Sequence, residues 1–475
     1  MFTMNLDQRI GLYSKIRFYH KPQALKDTYW IAIYIPYHCI IMIYFYQVLG
    51  KPTYTQTEYT FNFDDDDIDK FKESGLLSSI VTYRNLKESN KKIIFLMPDS
   101  LNSEYINKTK TIMEKQDICY ELLTMPSLDA ENALFNPNEI LLFIFLDMHK
   151  KLKKDDKLFI DITTGLNIYV NNLVAAAQYS NVDRGLQNME NDTYFNTILT
   201  DPVLDKDKNK QVNVYNIANK NTIFFSMPYF GEFRFTEFID CEDEMKCRIN
   251  KEWKETLTKL KTGIVTALRV YNAISRNTPL YLYYIFNAND HYKYDENISD
   301  FVNLIMDRLT NDIKNKNRIF RYKIDKIKDL INFIISLDML SGLKYLITED
   351  QDFENLNKEK FIETRKLLSF SQRLYENRVI NKSPNFDFLK RDIDNLYTEY
   401  HSNKNAVTSI EPNEYSSNKN DKNHNSSEKR NFFMHSGLEI AYIEYKKIEN
   451  KTDNGLIKYR ERYMDNVEKF LSEKL

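Results

Sequence analysis

Glycine and cysteine are scarce in this sequence, whose 475 residues include 10 glycines and 4 cysteines. Cys39, Cys119, Cys241 and Cys247 form no C-x-x-C pair, so the chain has no zinc-binding pattern and fits a reducing cytoplasm. Cys241 and Cys247 could hold a metal ion together with a distant histidine, but no ligand spacing supports that alternative. We therefore expect a cytoplasmic protein without a bound metal.

A strong charge of either sign is also absent, since the formal net charge is −2. Such a chain does not coat nucleic acid through its overall charge, and any contact with nucleic acid must come from a local basic site. Neither a Walker A motif nor a G-x-G-x-x-G motif occurs. With 42% hydrophobic residues the chain is globular, and its length predicts two to four domains.

No secretory signal is expected, because the first fifteen residues carry charges with no apolar core between them. The segment from Thr28 to Gly50 has no formal charge and is long enough to cross a bilayer. Pro36 and His38 interrupt it, however, and it is rich in isoleucine and tyrosine. This composition around a proline favours two β-strands of a soluble domain over a membrane span.

The order of elements predicts an α/β half followed by a helical half. Buried strands are expected at 30–35, 40–47, 91–98 and 156–163, with helices at 138–154 and 165–180. This alternation indicates a largely parallel, Rossmann-like sheet. Further helices are expected at 252–275, 298–313 and 323–346. We place the sensing domain at 1–230 and an all-α domain at 231–475, the latter including a helical insertion and a polar loop near 400–429.

Two stretches, "MPDSLN" (97–102) and "DITTGLN" (161–167), follow predicted strands. In an open α/β sheet, ligands bind at the carboxyl ends of strands next to helix N-termini. The candidate ligand-binding residues, which offer short polar groups or a close backbone approach, are Asp99, Ser100, Thr163, Thr164, Gly165 and Asn167. They predict a pocket for a phosphate-bearing ligand. Alternatively, Thr163 only caps the helix and the pocket is unused.

The third stretch, "SSEKRNFFMHSGLEIAYIEY" (426–445), predicts a helix that starts with Lys429 and Arg430 after the polar loop. Its apolar stripe is expected at Met434, Leu438, Ala441, Tyr445 and Ile448. Cations at a helix N-terminus oppose the helix dipole, and such exceptions are often functional. Arg430 and His435 could together cleave RNA without metal, through phosphate stabilisation and proton transfer. The alternative is a solvated basic helix start.

Three blocks in the same order and spacing resemble one family: "KKIIFLMPDSLN" (91–102), "KLFIDITTGLNIYVNNLVAAA" (157–177) and "RNFFMHSGL" (430–438). The sequence resembles the CRISPR-associated ancillary ribonucleases of type III systems. These join an N-terminal CARF domain to a C-terminal HEPN domain. The first two blocks are similar to CARF strand-end motifs, and the third fits the R-N-x-x-x-H signature of HEPN nucleases.

The resemblance implies a homodimer whose CARF domains bind a cyclic oligoadenylate, usually cyclic tetra-adenylate, across the two-fold axis. Whether dimers assemble further stays open. Binding would activate a composite HEPN site that cuts single-stranded RNA without a cofactor or metal. By matching motif, Arg430, Asn431 and His435 would be catalytic, and the six residues named above would line the activator pocket. The family often has histidine where this chain has Thr164, which argues against self-cleavage of the activator.

A different function is a ligand-sensing regulator whose helical domain binds nucleic acid or protein without cutting. A basic recognition helix would favour it, and the sequence has no convincing one. A HEPN toxin controlled by an antitoxin is a third interpretation, which the long CARF-like half disfavours.

Overall fold

The computed structural model describes most of the chain from residue 41 onward. The described residues are 17–18, 32–33, 41–50, 56–61, 71–101, 103–127, 135–153, 155–164, 167–189, 193–200, 211–220, 234–288, 294–315, 321–348, 361–376, 386–402, 424–438, 442–447 and 455–473.

The N-terminal half contains strands and helices in alternation. Its strands are β1 (Arg17–Phe18), β2 (Ala32–Ile33), β3 (Ile43–Val48), β4 (Thr57–Phe61), β5 (Phe71–Gly75), β6 (Lys91–Pro98), β7 (Tyr120–Met125), β8 (Lys157–Asp161), β9 (Tyr194–Thr200) and β10 (Gln211–Lys220). Its helices are α1 (Ser78–Asn85), α2 (Ser103–Met113), α3 (Pro137–Lys151) and α4 (Asn167–Asn188).

Eight of these strands form one mixed sheet in the order β5-β4-β10-β9-β8-β3-β6-β7. The five consecutive strands β9, β8, β3, β6 and β7 are parallel to one another. Strand β10 is antiparallel to β9, and β5 is antiparallel to β4. The predicted largely parallel, Rossmann-like sheet is therefore confirmed. The segment weighed as a membrane span contributes β3, a central strand of this sheet.

Helices cover both faces of the sheet, which explains why its central strands are apolar on both sides. In β3, Phe45 packs in the core beneath α1 and α2, whereas Tyr46 packs in the core beneath α3 and α4. Helix α3 begins with a capping box, in which Asn136 accepts from the Glu139 backbone and the Glu139 carboxylate accepts from the Asn136 backbone. From Ile140 to Met148 it is buried all round, because it lies between the sheet and the C-terminal half.

The C-terminal half is mostly helical, as predicted. Its helices are α5 (Asp243–Glu252), α6 (Lys254–Ser275), α7 (Pro279–Ala288), α8 (Tyr294–Asn315), α9 (Ile327–Thr348), α10 (Thr364–Glu376), α11 (Phe386–Ser402), α12 (His424–Met434) and α13 (Met464–Ser472). Its short strands are β11 (Ile239–Asp240), β12 (Arg321–Tyr322), β13 (Ile362–Glu363), β14 (Ile443–Lys447) and β15 (Gly455–Tyr459). Strands β13, β15 and β14 form a small antiparallel sheet that the sequence patterns did not indicate.

Helix α9 packs against α4 and joins the two halves. A Cβ atom at Gly342 of α9 would collide with the backbone carbonyl of Leu186 in α4. The absence of a side chain at Gly342 therefore permits this close approach. The segment Ile324–Ile347 is long and apolar enough to span a membrane, but 72% of its most apolar 18-residue stretch is buried inside the protein. Such burial is typical of a core helix.

Candidate functional site

The two upstream motifs lie at the same edge of the sheet. Strand β8 ends at Asp161 and is followed by Thr163 and Thr164, while β6 ends at Pro98 and is followed by Asp99. Strand β3 lies between β8 and β6 and runs parallel to both. The motifs therefore flank the carboxyl end of β3, where ligands bind in open α/β sheets.

A buried carboxylate organises the loop after β8. Asp161 is fully buried, and its Oδ2 accepts a hydrogen bond of 2.6 Å from the Ser78 hydroxyl. Its Oδ1 accepts from the backbone N–H of Thr163 at 2.9 Å and from the Thr163 hydroxyl at 2.5 Å. Burial raises the pKa of Asp161, and the hydrogen bonds from Ser78 and Thr163 oppose that rise. Asp161 thus fixes the path of the chain from the strand into the loop.

A buried amide holds the next residue of the loop. Gln47 of β3 is fully buried, and its Nε2 donates to the Thr164 hydroxyl oxygen at 3.0 Å. Its Oε1 accepts a hydrogen bond of 2.6 Å from the Ser79 hydroxyl. The Thr164 hydroxyl in turn donates to the Val48 carbonyl at 2.8 Å. Donors and acceptors alternate along this chain of bonds, so Thr164 is held in one orientation.

The other predicted pocket residues have different surroundings. The Asp99 carboxylate accepts a hydrogen bond from the hydroxyl of Ser127, a residue that follows β7. Among the described residues, no hydrogen bond joins Asp99 to Thr163 or Thr164. Ser100 is exposed. Asn167, also exposed, is the first residue of α4. Gly165 lies outside the described residues. The edge therefore places the loop after β8 close to the N-terminus of α4, where backbone N–H groups favour a phosphate group.

Sequence reasoning missed the supporting residues Gln47, Ser78, Ser79 and Asp161. Two of them form the adjacent pair Ser78–Ser79, which opens the buried start of α1 shortly after β5. Gln47 was a polar residue inside an apolar strand, and such residues often have a specific partner. Its partner lies 117 positions away, however, and the sequence does not reveal which residue it is.

The third motif lies at the end of a helix, which corrects the prediction of a helix that starts there. Helix α12 begins at His424 and ends at Met434, so Lys429 and Arg430 lie in its middle, outside its first and last turns. The helix dipole acts mainly within the end turns, so the predicted exception to that rule was wrong. Residues 403–423 of the expected polar loop lie outside the described residues, and from residue 424 that loop is helical.

A tight turn follows α12 and places His435 in a loop. Ser436 and Gly437 have positive φ angles of 53° and 70°. The backbone N–H of Gly437 donates to the Phe432 carbonyl at 2.9 Å, which closes the helix end. The chain then enters strand β14, so the predicted helical stripe over 434–448 is wrong. Tyr445 of that stripe belongs to the strand.

His435 faces a buried carboxylate from another helix. Its side chain is 56% exposed, and its Nδ1 lies 3.8 Å from Oδ1 of Asp392 in α11, too long for a hydrogen bond but within ion-pair range. The Ser436 hydroxyl donates to Asp392 and accepts from Nδ2 of Asn277 at 2.9 Å. Burial raises the pKa of Asp392, while Ser436 and the positive charges of His435 and Arg391 oppose that rise.

Arg430 is exposed on α12, five positions before His435. The side chain of Asn431 lies outside what the structure describes. Arg430 and His435 do not lie on one helix, because His435 follows the end of α12. An exposed guanidinium and an exposed imidazole with a carboxylate behind it can bind a phosphodiester and transfer protons near neutral pH.

Phe432 anchors the end of α12 in the core. It is fully buried, and its ring lies within 5.2 to 6.3 Å of the rings of Phe433, Tyr442, Tyr459 and Phe470. These neighbours come from the helix itself, the small sheet and α13. The hydrophobic burial of Phe432 therefore sets the position of the exposed residues on either side of it.

Replacing Phe432 with alanine is expected to destabilise the helical half by about 3–5 kcal/mol, because it leaves a cavity among rings that cannot close over it. The midpoint of denaturant unfolding followed by circular dichroism measures the loss. Phe388→Ala serves as the matched control, since Phe388 of α11 is 46% exposed. Equal losses for the two variants would contradict the anchoring role.

Comparison with known proteins gives one family match. Residues 44–202, about a third of the chain, match the family model of the CARF domain of the CRISPR system endoribonuclease Csx1. The match begins in β3, includes the sheet edge described above and ends just after β9. No curated protein matches the chain. The resemblance of the two strand-end motifs to CARF domains is confirmed, and a CARF domain implies sensing of cyclic oligoadenylates in type III CRISPR defence. The chain therefore contains a CARF domain similar to that of CRISPR-associated ancillary proteins.

Proposed function

We propose that this protein is an endoribonuclease that cuts single-stranded RNA when a cyclic oligoadenylate binds its CARF domain. The observation that carries the proposal is the pair formed by exposed His435 and buried Asp392, next to a helix that presents Arg430. The R-N-x-x-x-H spacing of residues 430–435, which resembles the HEPN signature, supports the same assignment. The name of the matched family, a CRISPR system endoribonuclease, also supports it.

The reaction needs a base, an acid and a group that stabilises negative charge. The 2′-hydroxyl of one ribose loses its proton and attacks the adjacent phosphorus. The bond to the 5′-oxygen of the next nucleotide breaks, and that oxygen takes up a proton. The products are a 2′,3′-cyclic phosphate and a 5′-hydroxyl end. Arg430 stabilises the charge on the phosphoryl oxygens, His435 transfers or orients a proton, and Asn431 contributes a polar contact. None of these steps requires a metal ion.

One Arg–His pair supplies only part of this machinery, so we expect two chains to form a composite site across a two-fold axis. The activator, for which cyclic tetra-adenylate is the first candidate, would bind at the sheet edge. The contacts assigned to it are Asp99, Ser100, Thr163, Thr164, Gly165 and Asn167. Helix α4 starts at that edge and packs on α9 of the helical half, which supplies a physical connection between the two sites.

The proposal is tested by incubating the purified chain with labelled single-stranded RNA in EDTA. Cyclic tri-, tetra- and hexa-adenylate are added separately. We expect cleavage that depends on one ring size and leaves 5′-hydroxyl ends. If no ring size produces cleavage, the proposal is overturned. Ligand binding and RNA binding without cleavage would then indicate a regulator that does not cut.

Asp392 is expected to position His435 for this reaction. Asp392→Asn keeps the shape of the side chain but removes its negative charge, so kcat should fall by about tenfold with KM changed less than about twofold. In a His435→Ala background the same substitution should have no further effect, because the two residues act as a unit. Asp394→Asn, at an exposed position of the same helix, is the control. A tenfold loss that persists in the His435→Ala background would exclude a role through His435.

A further inference from the structure

A second cluster of ionisable side chains lies away from both sites described above. His149 of α3, Asp183 of α4 and Asp338 of α9 meet where the sheet-covering helices contact the helical half. Nδ1 of His149 lies 2.9 Å from Oδ2 of Asp183 and 3.3 Å from Oδ2 of Asp338. All three side chains are at least 90% buried. The cluster therefore joins three helices at the junction of the two halves.

Both carboxylates of the cluster lie against the same imidazole nitrogen. Nδ1 of His149 carries at most one proton, so it cannot donate fully to both carboxylates at once. Gln187 donates to Oδ2 of Asp183 at 3.2 Å. Oδ1 of Asp183 is buried and has no hydrogen-bond donor among the described residues. A buried carboxylate in these surroundings needs a proton or another cation.

We propose that His149, Asp183 and Asp338 bind a divalent transition-metal ion of the Zn²⁺ or Mn²⁺ class. One imidazole nitrogen and two carboxylate oxygens are a donor set that such ions accept. The three ligand atoms lie within 4.8 Å of one another. Metal–ligand bonds of about 2.0–2.2 Å place neighbouring ligand atoms about 3.3 Å apart in a tetrahedral site. The 3.3 Å distance from His149 to Asp338 matches that spacing, and the 2.9 Å distance from His149 to Asp183 is about 0.4 Å shorter.

An adjoining cavity supplies access and room for water ligands. It has a volume of about 430 Å³, and His149 and Asp338 line it together with Gln187 and Tyr345. Two lysines also line it, so the cavity as a whole does not attract cations. The preference for a cation therefore rests on the three ligands. A bound ion would tie α3 and α4 to α9, at the same junction where Gly342 allows the backbones to approach closely.

The test is metal retention by the full chain. After removal of metal and dialysis against Zn²⁺ or Mn²⁺ alone, elemental analysis should find about one ion per chain. His149→Gln and Asp338→Asn should each weaken retention by tenfold or more. The control is the double variant Cys241→Ser, Cys247→Ser, because Cys247 is exposed and thiolates bind zinc adventitiously. Retention lost in the cysteine variant, or absent in the unmodified chain, overturns the proposal.

Thermal unfolding of the unmodified chain, with and without metal ions, provides a second measurement. It tests the proposal even if a variant folds poorly. In the unmodified chain, free Zn²⁺ or Mn²⁺ at a hundred times its Kd should raise the Tm by about 2–3 °C, and Mg²⁺ should not. The rise should disappear in His149→Gln and persist in the cysteine variant. If neither ion raises the Tm of the unmodified chain, the cluster holds only a proton. Because this readout needs no RNA, it does not depend on the proposed nuclease activity.

Discussion

Replacing His435 with alanine is expected to lower activator-dependent RNA cleavage by about 100-fold or more. An imidazole can act as acid, base or positioning donor in proton transfer, and alanine has no group that replaces it. The His435 side chain is 56% exposed, so truncation removes little packing. The measurement is the single-turnover cleavage rate of labelled RNA at saturating activator.

Met434→Ala is the matched control for this variant, because Met434 is the adjacent residue and is 59% exposed. It should keep the activity and the thermal stability of the unmodified chain. Arg430→Ala should show a loss similar to that of His435→Ala, since removal of one charge-stabilising donor typically costs about 100-fold or more. Unchanged cleavage by both the Arg430 and His435 variants would place the active site elsewhere.

The placement of the two strand-end motifs at one sheet edge could be predicted from the sequence. Carboxyl ends of parallel strands meet at one edge, so two strand-end motifs at 97–102 and 161–167 had to lie near each other. What the sequence could not supply was the strand between them. Strand β3 precedes both motifs in the chain, and its Gln47 orients Thr164 through pairing that depends on strand order.

The end of α12 was mispredicted because the spacing of its apolar residues fits a continuing helix as well as a helix followed by a turn. Met434 and Leu438 fit a helical period, but the positive φ angles of Ser436 and Gly437 end the helix between them. Gly437 was the available signal, as glycine commonly terminates helices. The carboxylate behind His435 could not be found in this way. Asp392 lies 43 positions earlier in a different helix, and only the fold brings the two side chains within 3.8 Å.

Asp161→Asn is expected to raise the activator concentration for half-maximal cleavage by about tenfold or more. The substitution keeps the size of the side chain but turns one acceptor oxygen into an NH₂ donor. The backbone N–H groups of Ser79 and Thr163 both donate to Asp161 and, unlike the Ser78 hydroxyl, cannot turn to accept, so the new donor would oppose an N–H group. A buried donor facing a donor costs about 1–3 kcal/mol, and moving the loop that carries Thr163 and Thr164 relieves the conflict. Titration of cleavage rate against cyclic tetra-adenylate measures the change.

A second buried carboxylate, at the opposite end of β8, provides a control variant. It distinguishes an effect on ligand binding from an effect on the stability of the sheet. Asp156 precedes β8 and accepts from the backbone N–H groups of Met42 and Lys153, both at 2.8 Å. Asp156→Asn should therefore destabilise the sheet to a similar extent, because it also places a donor against a donor. It lies at the amino end of β8, away from the ligand edge, so the half-maximal activator concentration should change less than about twofold. If both variants weaken activation equally, loss of sheet stability accounts for the effect. A selective loss in Asp161→Asn means that the hydrogen bonds of the strand-end loop determine activator affinity.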